Sequence, residues 1–208
     1  MYISRMARIT LINLRHNFLV HFAAAVVIAM LTPLVFSISA LDRTSSARPI
    51  EMLLCMTGTV LLTPVFSPEQ NKNIRDVIRS KKVGYLWVCF IRAVYSVIAL
   101  AVIIGAFVLV MKLCECDVTA AHFGAGFASA FFMGAVGLAF AKLAGNPIAG
   151  YMASMIYYLL NFIGSRLGCF WMFTMSNGKT DVNYALIIWG TVIIAGTFII
   201  SAITEKSD

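Results

Sequence analysis

SPEQNKNIRDVIRSKKVG, Ser67 to Gly84, is the one long polar stretch of a chain that is otherwise nearly all apolar. It is written like a capped helix. Ser67 has the chemistry of an N-cap, Pro68 fits the first helical position, and Gln70 completes a capping box. Glu69 suits the positive end of the helix dipole, Lys81 and Lys82 the negative end, and Gly84 supplies a stop. Ile74, Val77 and Ile78 form a narrow apolar stripe, and Lys72 and Asp76 pair at i, i+4. The pattern predicts an amphipathic helix of about 15 residues, about 22 Å long. A loop joining two neighbouring helices needs only a few residues. The extra length predicts a surface offered to a partner; the alternative is a basic helix lying on anionic lipid.

The surroundings decide what kind of partner. The chain is 61% hydrophobic and 12% charged, with a mean hydropathy of +0.89. Soluble domains carry about 25% charged residues. Outside the apolar runs no stretch exceeds about 20 residues, too few for a soluble core. The composition predicts an all-α integral membrane protein. A formal charge of +7 is then a topology signal, and nucleic acid is not an expected partner. The start, MYISRMARITLINLRHNF, has no compact apolar segment and no small-residue cleavage site, so the first long run is expected to remain as a membrane helix.

Crossing a bilayer takes about 20 apolar residues. Six spans are expected, over 18–40, 50–66, 85–111, 120–141, 147–164 and 184–203. Residues 1–17 form an amphipathic leader with Arg5, Arg8 and Arg15 on one side, lying in the interface. Residues 67–84 are the polar helix, 165–183 an external connection, and 184–208 the last span and tail. One side of this arrangement carries Arg5, Arg8, Arg15, Lys72, Arg75, Arg79, Lys81, Lys82, Lys142 and Lys206. The other carries only Arg43, Arg48, Lys112, Arg166 and Lys179. The positive-inside rule then puts both termini and residues 67–84 in the cytoplasm. Gly145 is expected to close the fourth helix and Asn146-Pro147 to open the fifth. Phe170, Trp171, Met172 and Phe173 are too apolar for solvated coil and are expected to dip into the bilayer edge as short interfacial helices.

Catalytic chemistry is not written into these residues. There is no G-x-S-x-G, no H-E-x-x-H and no paired-Glu motif. His16 lies in the leader, and His21 and His122 are placed at opposite faces. Asp42, Glu51, Glu115, Asp117 and Asp181 fall in or beside external loops; Glu69, Asp76, Glu205 and Asp208 are cytoplasmic. No acid is expected at mid-membrane, which argues against ion coupling. Arg92 is the one charge inside a span. It can snorkel to the interface or serve a buried function. Gly126, Ala130 and Gly134, then Gly137, Ala141 and Gly145, form i, i+4 rows that permit close helix packing, within the chain or in a dimer. Met152, Met155, Met172 and Met175 can line an adaptable apolar path or simply fill core and lipid-facing positions. Cys55 and Cys89 read as small hydrophobes. Cys169 can pair with Cys114 or Cys116, or all three can remain thiols.

LTPVFSPEQNKNIRDVIRSKKVGYLWVCFIR, Leu62 to Arg92, together with the six-span layout, resembles the ABC-2 class of ABC-transporter permeases. Similar permeases carry a Pro- and Glu-containing end to the second span, a charged coupling helix, and an early Arg in the third span. The leader, the short second cytoplasmic turn and the apolar elements between spans five and six agree in layout. The resemblance implies that residues 67–84 dock on a separate ATPase subunit, with Glu69, Gln70, Lys72, Arg75, Asp76 and Arg79 as coupling residues. No G-x-x-x-x-G-K-[ST] occurs here, so ATP and Mg are expected in that partner and no cofactor in this chain. A second permease copy or a related permease would complete the pathway of an exporter in the plasma membrane, expected to be bacterial. The rival readings are an ion-coupled transporter or channel, and a non-transporting scaffold or immunity protein. Reporter fusions at Asp208 and in the 112–120 loop are expected to report opposite sides of the membrane; the same side for both would sink the six-span layout.

Overall fold

The computed structural model of the protein describes residues 18–70, 85–163, 165–179 and 181–207. The leader and most of the 67–84 segment, Lys72, Arg75, Asp76 and Arg79 included, lie outside the described residues. Among the described residues every regular element is helical. We label the helices α1 (Leu19–Phe36), α2 (Arg43–Ser67), α3 (Tyr85–Leu113), α4 (Ala120–Leu143), α5 (Pro147–Phe162) and α6 (Tyr184–Ser207). All but α5 are long and apolar enough to cross a membrane. At 16 residues, α5 is about 24 Å long, short of the hydrocarbon thickness. The expected fifth span over 147–164 is thus a helix at the expected place, shorter than the others.

Helix α2 departs most from expectation. It begins seven residues before the expected Ile50, and it is not uniform. An α-helical turn, Arg43–Arg48, gives way at Pro49 to a π segment, Pro49–Leu54, then to α-helix, Met56–Leu62, and to a 3-10 helix, Thr63–Gln70. The wide turn is visible in the bond from Cys55 N–H to the Ile50 carbonyl (3.1 Å). Pro64 and Pro68 do not end the helix, because the tighter 3-10 winding accommodates them. Ser67 lies in this 3-10 stretch, and the helix expected to start there falls mostly outside the described residues. Asn146 accepts from Ile148 N–H (2.9 Å) at the head of α5, with Pro147 next. Gly145, at φ +62°, takes the left-handed turn out of α4.

Helices α2 and α4 form the centre. The buried share of their most apolar stretch is 72% and 67%, against 11% for α1 and 22% for α6. The outer helices therefore leave most of their surface outside the bundle. The centre is close-packed because it lacks side chains where the backbones meet. A Cβ on Gly58 would sit 1.8 Å from the Ala130 carbonyl oxygen, and one on Gly134 2.5 Å from the Gly58 oxygen. Gly126 makes room for Ile50, and Gly137 for Thr63 and Ser154. Gly150 of α5 lies against the Gly137 carbonyl in the same way. Gly126, Gly134 and Gly137 of α4 thus meet neighbours within the chain, on α2 and α5.

Two loops close the end where α2 begins. Ala40 N–H bonds the Cys114 carbonyl (3.1 Å) and Asp117 N–H the Leu41 carbonyl (3.0 Å). His122, buried at the head of α4, accepts from Thr119 N–H at Nδ1 (3.1 Å), so its Nε2–H donates to the Arg43 carbonyl (2.9 Å). Cys114, Cys116 and Cys169 are not joined by disulfides.

Gly58→Ala places a methyl group on a backbone carbonyl that has no rotamer to yield. It is expected to cost about 1–3 kcal/mol, the usual range for overpacking, while Gly196→Ala, with open space around it, is expected to be neutral. Thermal unfolding in detergent checks the pair; equal stability would show that α2 and α4 are not in backbone contact.

Candidate functional site

The segment after α5 is packed by the protein itself. It turns back into the helix bundle. Ser165–Phe170 is a 3-10 element with a kink at Gly168, and Met175–Asn177 is a second, closed by Gly178 at φ +87°. Between them the chain is deeply buried: Met172 and Phe173 are 1% and 3% exposed, so the expectation of lipid-immersed interfacial helices is corrected for these residues. The apolar content that suggested membrane contact instead fills the protein. Phe173 packs edge-on against Tyr158 and Phe162, and Phe170 against Phe132 and Trp189.

Irregular backbone inside a membrane protein must find its own hydrogen-bond partners. Here side chains of the surrounding helices supply them. Asn161 of α5 accepts from Met172 N–H through Oδ1 (2.9 Å), and Ser129 of α4 donates to the Met172 carbonyl (3.2 Å). Asn183, just before α6, donates to the carbonyls of Cys169 (2.8 Å) and Trp171 (3.0 Å). Tyr157 donates to the Phe170 carbonyl.

The deepest anchor is Glu51. It lies on the π segment of α2 and is 1% exposed, which corrects its expected placement in or beside an external loop. Its Oε1 accepts from Met175 N–H (3.0 Å); its Oε2 accepts from Ser176 N–H (2.9 Å) and Ser176 Oγ–H (2.5 Å). One carboxylate thus satisfies three donors of the re-entrant segment. Beside it the Met52 carbonyl accepts from the Tyr158 hydroxyl (2.6 Å). The wide turn of α2 is bound to both α5 and the re-entrant segment. The arrangement holds a conformation: Glu51 has donors around it and no nucleophile–base–orienter chain. Among the described residues no group of three His, Cys, Asp or Glu side chains is placed to hold a metal ion.

Arg92 marks the other end of α2. It is 5% exposed, buried among the helices. Its Nη1 donates to the Val65 carbonyl (3.3 Å), in the 3-10 stretch leading to Glu69 and Gln70. A cavity of about 100 Å³ opens beside it, between α1, α2 and α3. Lys142, at the end of α4, lies over the Phe66 ring at 5.2 Å.

The structure thus separates the residues singled out in sequence. Gly126, Ala130, Gly134 and Gly137 line the α2–α4–α5 contact. Met172 and Met175 are buried, while Met152 and Met155 are exposed on α5. Glu51, Ser176 and Asn161 were missed as a constellation. The signal available was an acid inside the apolar run PIEMLLCM, directly after a proline.

Comparison of the chain with protein-family models, curated proteins and solved structures gives no match. What the fold defines is a class, an all-helical, multi-pass membrane protein with five candidate membrane-crossing helices among the described residues.

Glu51→Ala removes three acceptor contacts made by a charged group, each worth about 1.5–3 kcal/mol. Hydrogen exchange at the Met175 and Ser176 amides is expected to quicken by about tenfold or more, with less change for Glu51→Gln, which keeps one acceptor oxygen. Unchanged exchange in Glu51→Ala would remove the anchoring role.

Proposed function

We propose that the protein is the permease subunit of an ATP-driven exporter, similar to the ABC-2 class, working with a separate ATPase and a second permease copy or a related permease. In this reading both termini and residues 67–84 face the cytoplasm of a bacterial cell, and the 67–84 segment is the coupling helix. The observation that carries the reading is the pair of attachments on α2. Near one end Glu51 holds the re-entrant segment; near the other Val65 is held by Arg92, at the edge of the polar segment. Fourteen residues separate Glu51 from Val65, about 21 Å of helix. A push on the polar segment would therefore reach the re-entrant segment through one largely buried helix.

A buried acid also favours a second reading, an ion-coupled transporter, since intramembrane carboxylates commonly serve ion or proton pathways. The three donors around Glu51 favour the anchoring role. The two readings separate in liposomes containing this chain and its ATPase. ATP-driven transport is expected, with no response to an imposed proton gradient; full transport with a catalytically dead ATPase would overturn the permease reading. If the protein is only a scaffold, no cargo moves under either condition.

Charge reversal at Arg75 and Arg79 is expected to reduce both co-purification of the ATPase and stimulation of its activity. Glu69→Ala is expected to be milder if Glu69 acts only on the helix dipole, an effect of about 0.3–1 kcal/mol. Normal coupling in the charge-reversed protein would leave the segment as a lipid-lying helix.

A further inference from the structure

The apolar belt of the bundle is uneven in height. Helix α3, packed on α1, α2 and α4, has 29 residues, about 43 Å of helix, with exposed apolar side chains from Trp87 to Leu113. Helix α5, packed on α4 and α2, has 16 residues, about 24 Å, and its exposed apolar face runs from Ile148 to Ile163. It stands alongside α4 in antiparallel sense. Gly150 lies on the Gly137 carbonyl, the Ser154 hydroxyl donates to the Met133 carbonyl (3.0 Å), and the Tyr157 ring meets that of Phe132 at 5.1 Å. Asn161 and Ser129 then bond the same residue, Met172. Helix α5 thus ends about level with Ser129, and nine residues of α4 remain beyond it, about 13 Å. Beside them lies the re-entrant segment. Its first part, Gly168 and Cys169, is exposed, and Gly168 breaks the winding at φ 57°. Irregular backbone is not left exposed to hydrocarbon, because lipid offers its polar groups no partner. Two tryptophans mark the same level. Trp171 Nε1–H donates to the Asn161 carbonyl (3.4 Å) at the end of α5, and Trp189 of α6 lies against Phe170 with centroids 5.8 Å apart. Tryptophan collects where the membrane meets water.

We propose that the α5 side of the protein is a surface for a locally thinned phospholipid bilayer. Headgroups of one leaflet come down to the level of Ile163 and Gly168, so the hydrocarbon beside α5 is about 24 Å thick where an ordinary bilayer has about 30 Å. Without thinning, about 6 Å of hydrocarbon would stand against exposed irregular backbone. A tilt of α5 would only shorten its span further. Bilayers adapt to a short apolar stretch in this way at a modest cost per ångström of mismatch. The surface needs neither an ATPase nor a cargo, so it is independent of the transport reading.

The test is the membrane depth of nitroxide labels on the full chain, in liposomes of dioleoyl phosphatidylcholine and dioleoyl phosphatidylglycerol. Cys114→Ser and Cys169→Ser remove the exposed thiols, and labels are attached at Ile148→Cys and, separately, at Ile163→Cys. Accessibility to dissolved oxygen and to a water-soluble nickel chelate gives the depth, calibrated on spin-labelled lipids in the same liposomes. Both end labels are expected at headgroup depth. A label at Met155→Cys, between them on the exposed face, is expected in hydrocarbon. Either end label shifted about 6 Å into the hydrocarbon overturns the proposal. End labels shielded from both oxygen and the chelate overturn it too, because protein, such as a second copy of this chain, would then cover α5 in place of lipid. Each variant is judged at a parental melting temperature. If Ile163→Cys unfolds, the native Cys169 thiol carries the label in a Cys114→Ser chain; headgroup depth is expected there, and hydrocarbon depth overturns the proposal.

Discussion

The backbone contact between α2 and α4 is the constraint on which the other features rest. Gly58 and Gly134 let two helices approach until a carbonyl of each lies where the other's side chain would be. In lipid no hydrophobic force draws helices together, so close packing of small residues has to do so. With α4 fixed against α2, α5 is fixed too, because Gly150 lies on the Gly137 carbonyl. The re-entrant segment then drops into the space the three helices leave.

That space is buried and full of backbone polar groups, which explains its unusual side chains. Asn161, Ser129 and Glu51 come from three different helices, and each meets a backbone group of the same short segment. A buried carboxylate is expensive when one of its partners is lost. The same expense makes the segment's position specific, because a shift of a few ångströms would strand the charge. The π turn of α2 contributes by placing Glu51 and the Met52 carbonyl beside their partners.

Much of the architecture was legible in the sequence, for identifiable reasons. Long apolar runs mark membrane helices however they pack, so α1, α3, α4 and α6 fell near their expected places. The glycine rows of α4 signal close approach without naming the neighbour. Glu51 was not legible, because an acid at the end of an apolar run looks interfacial until the helix is seen to begin seven residues earlier. Met172 and Phe173 misled in the opposite sense: hydropathy reports that a residue avoids water, and protein interior satisfies it as well as lipid does. For Arg92 the sequence left an interfacial and a buried role open, and only the fold reveals the Val65 carbonyl beside it.

The separation along the chain between Glu51 and its partners has a consequence for biogenesis. Ser176 follows Glu51 by 125 residues. At about 5–20 residues per second, a ribosome takes about 6–25 s to make that stretch. During that interval α2 emerges with its acid and without the amides that will receive it. Its mean hydropathy over its most apolar stretch is 1.6, the lowest of the five candidate spans, whereas α1 and α3 reach 2.3 and 2.8. The nascent chain therefore holds its least insertable helix between two that insert readily. Helix α2 would wait beside the translocon, or at the polar boundary of the bilayer, until the distant C-terminal third arrives to complete it.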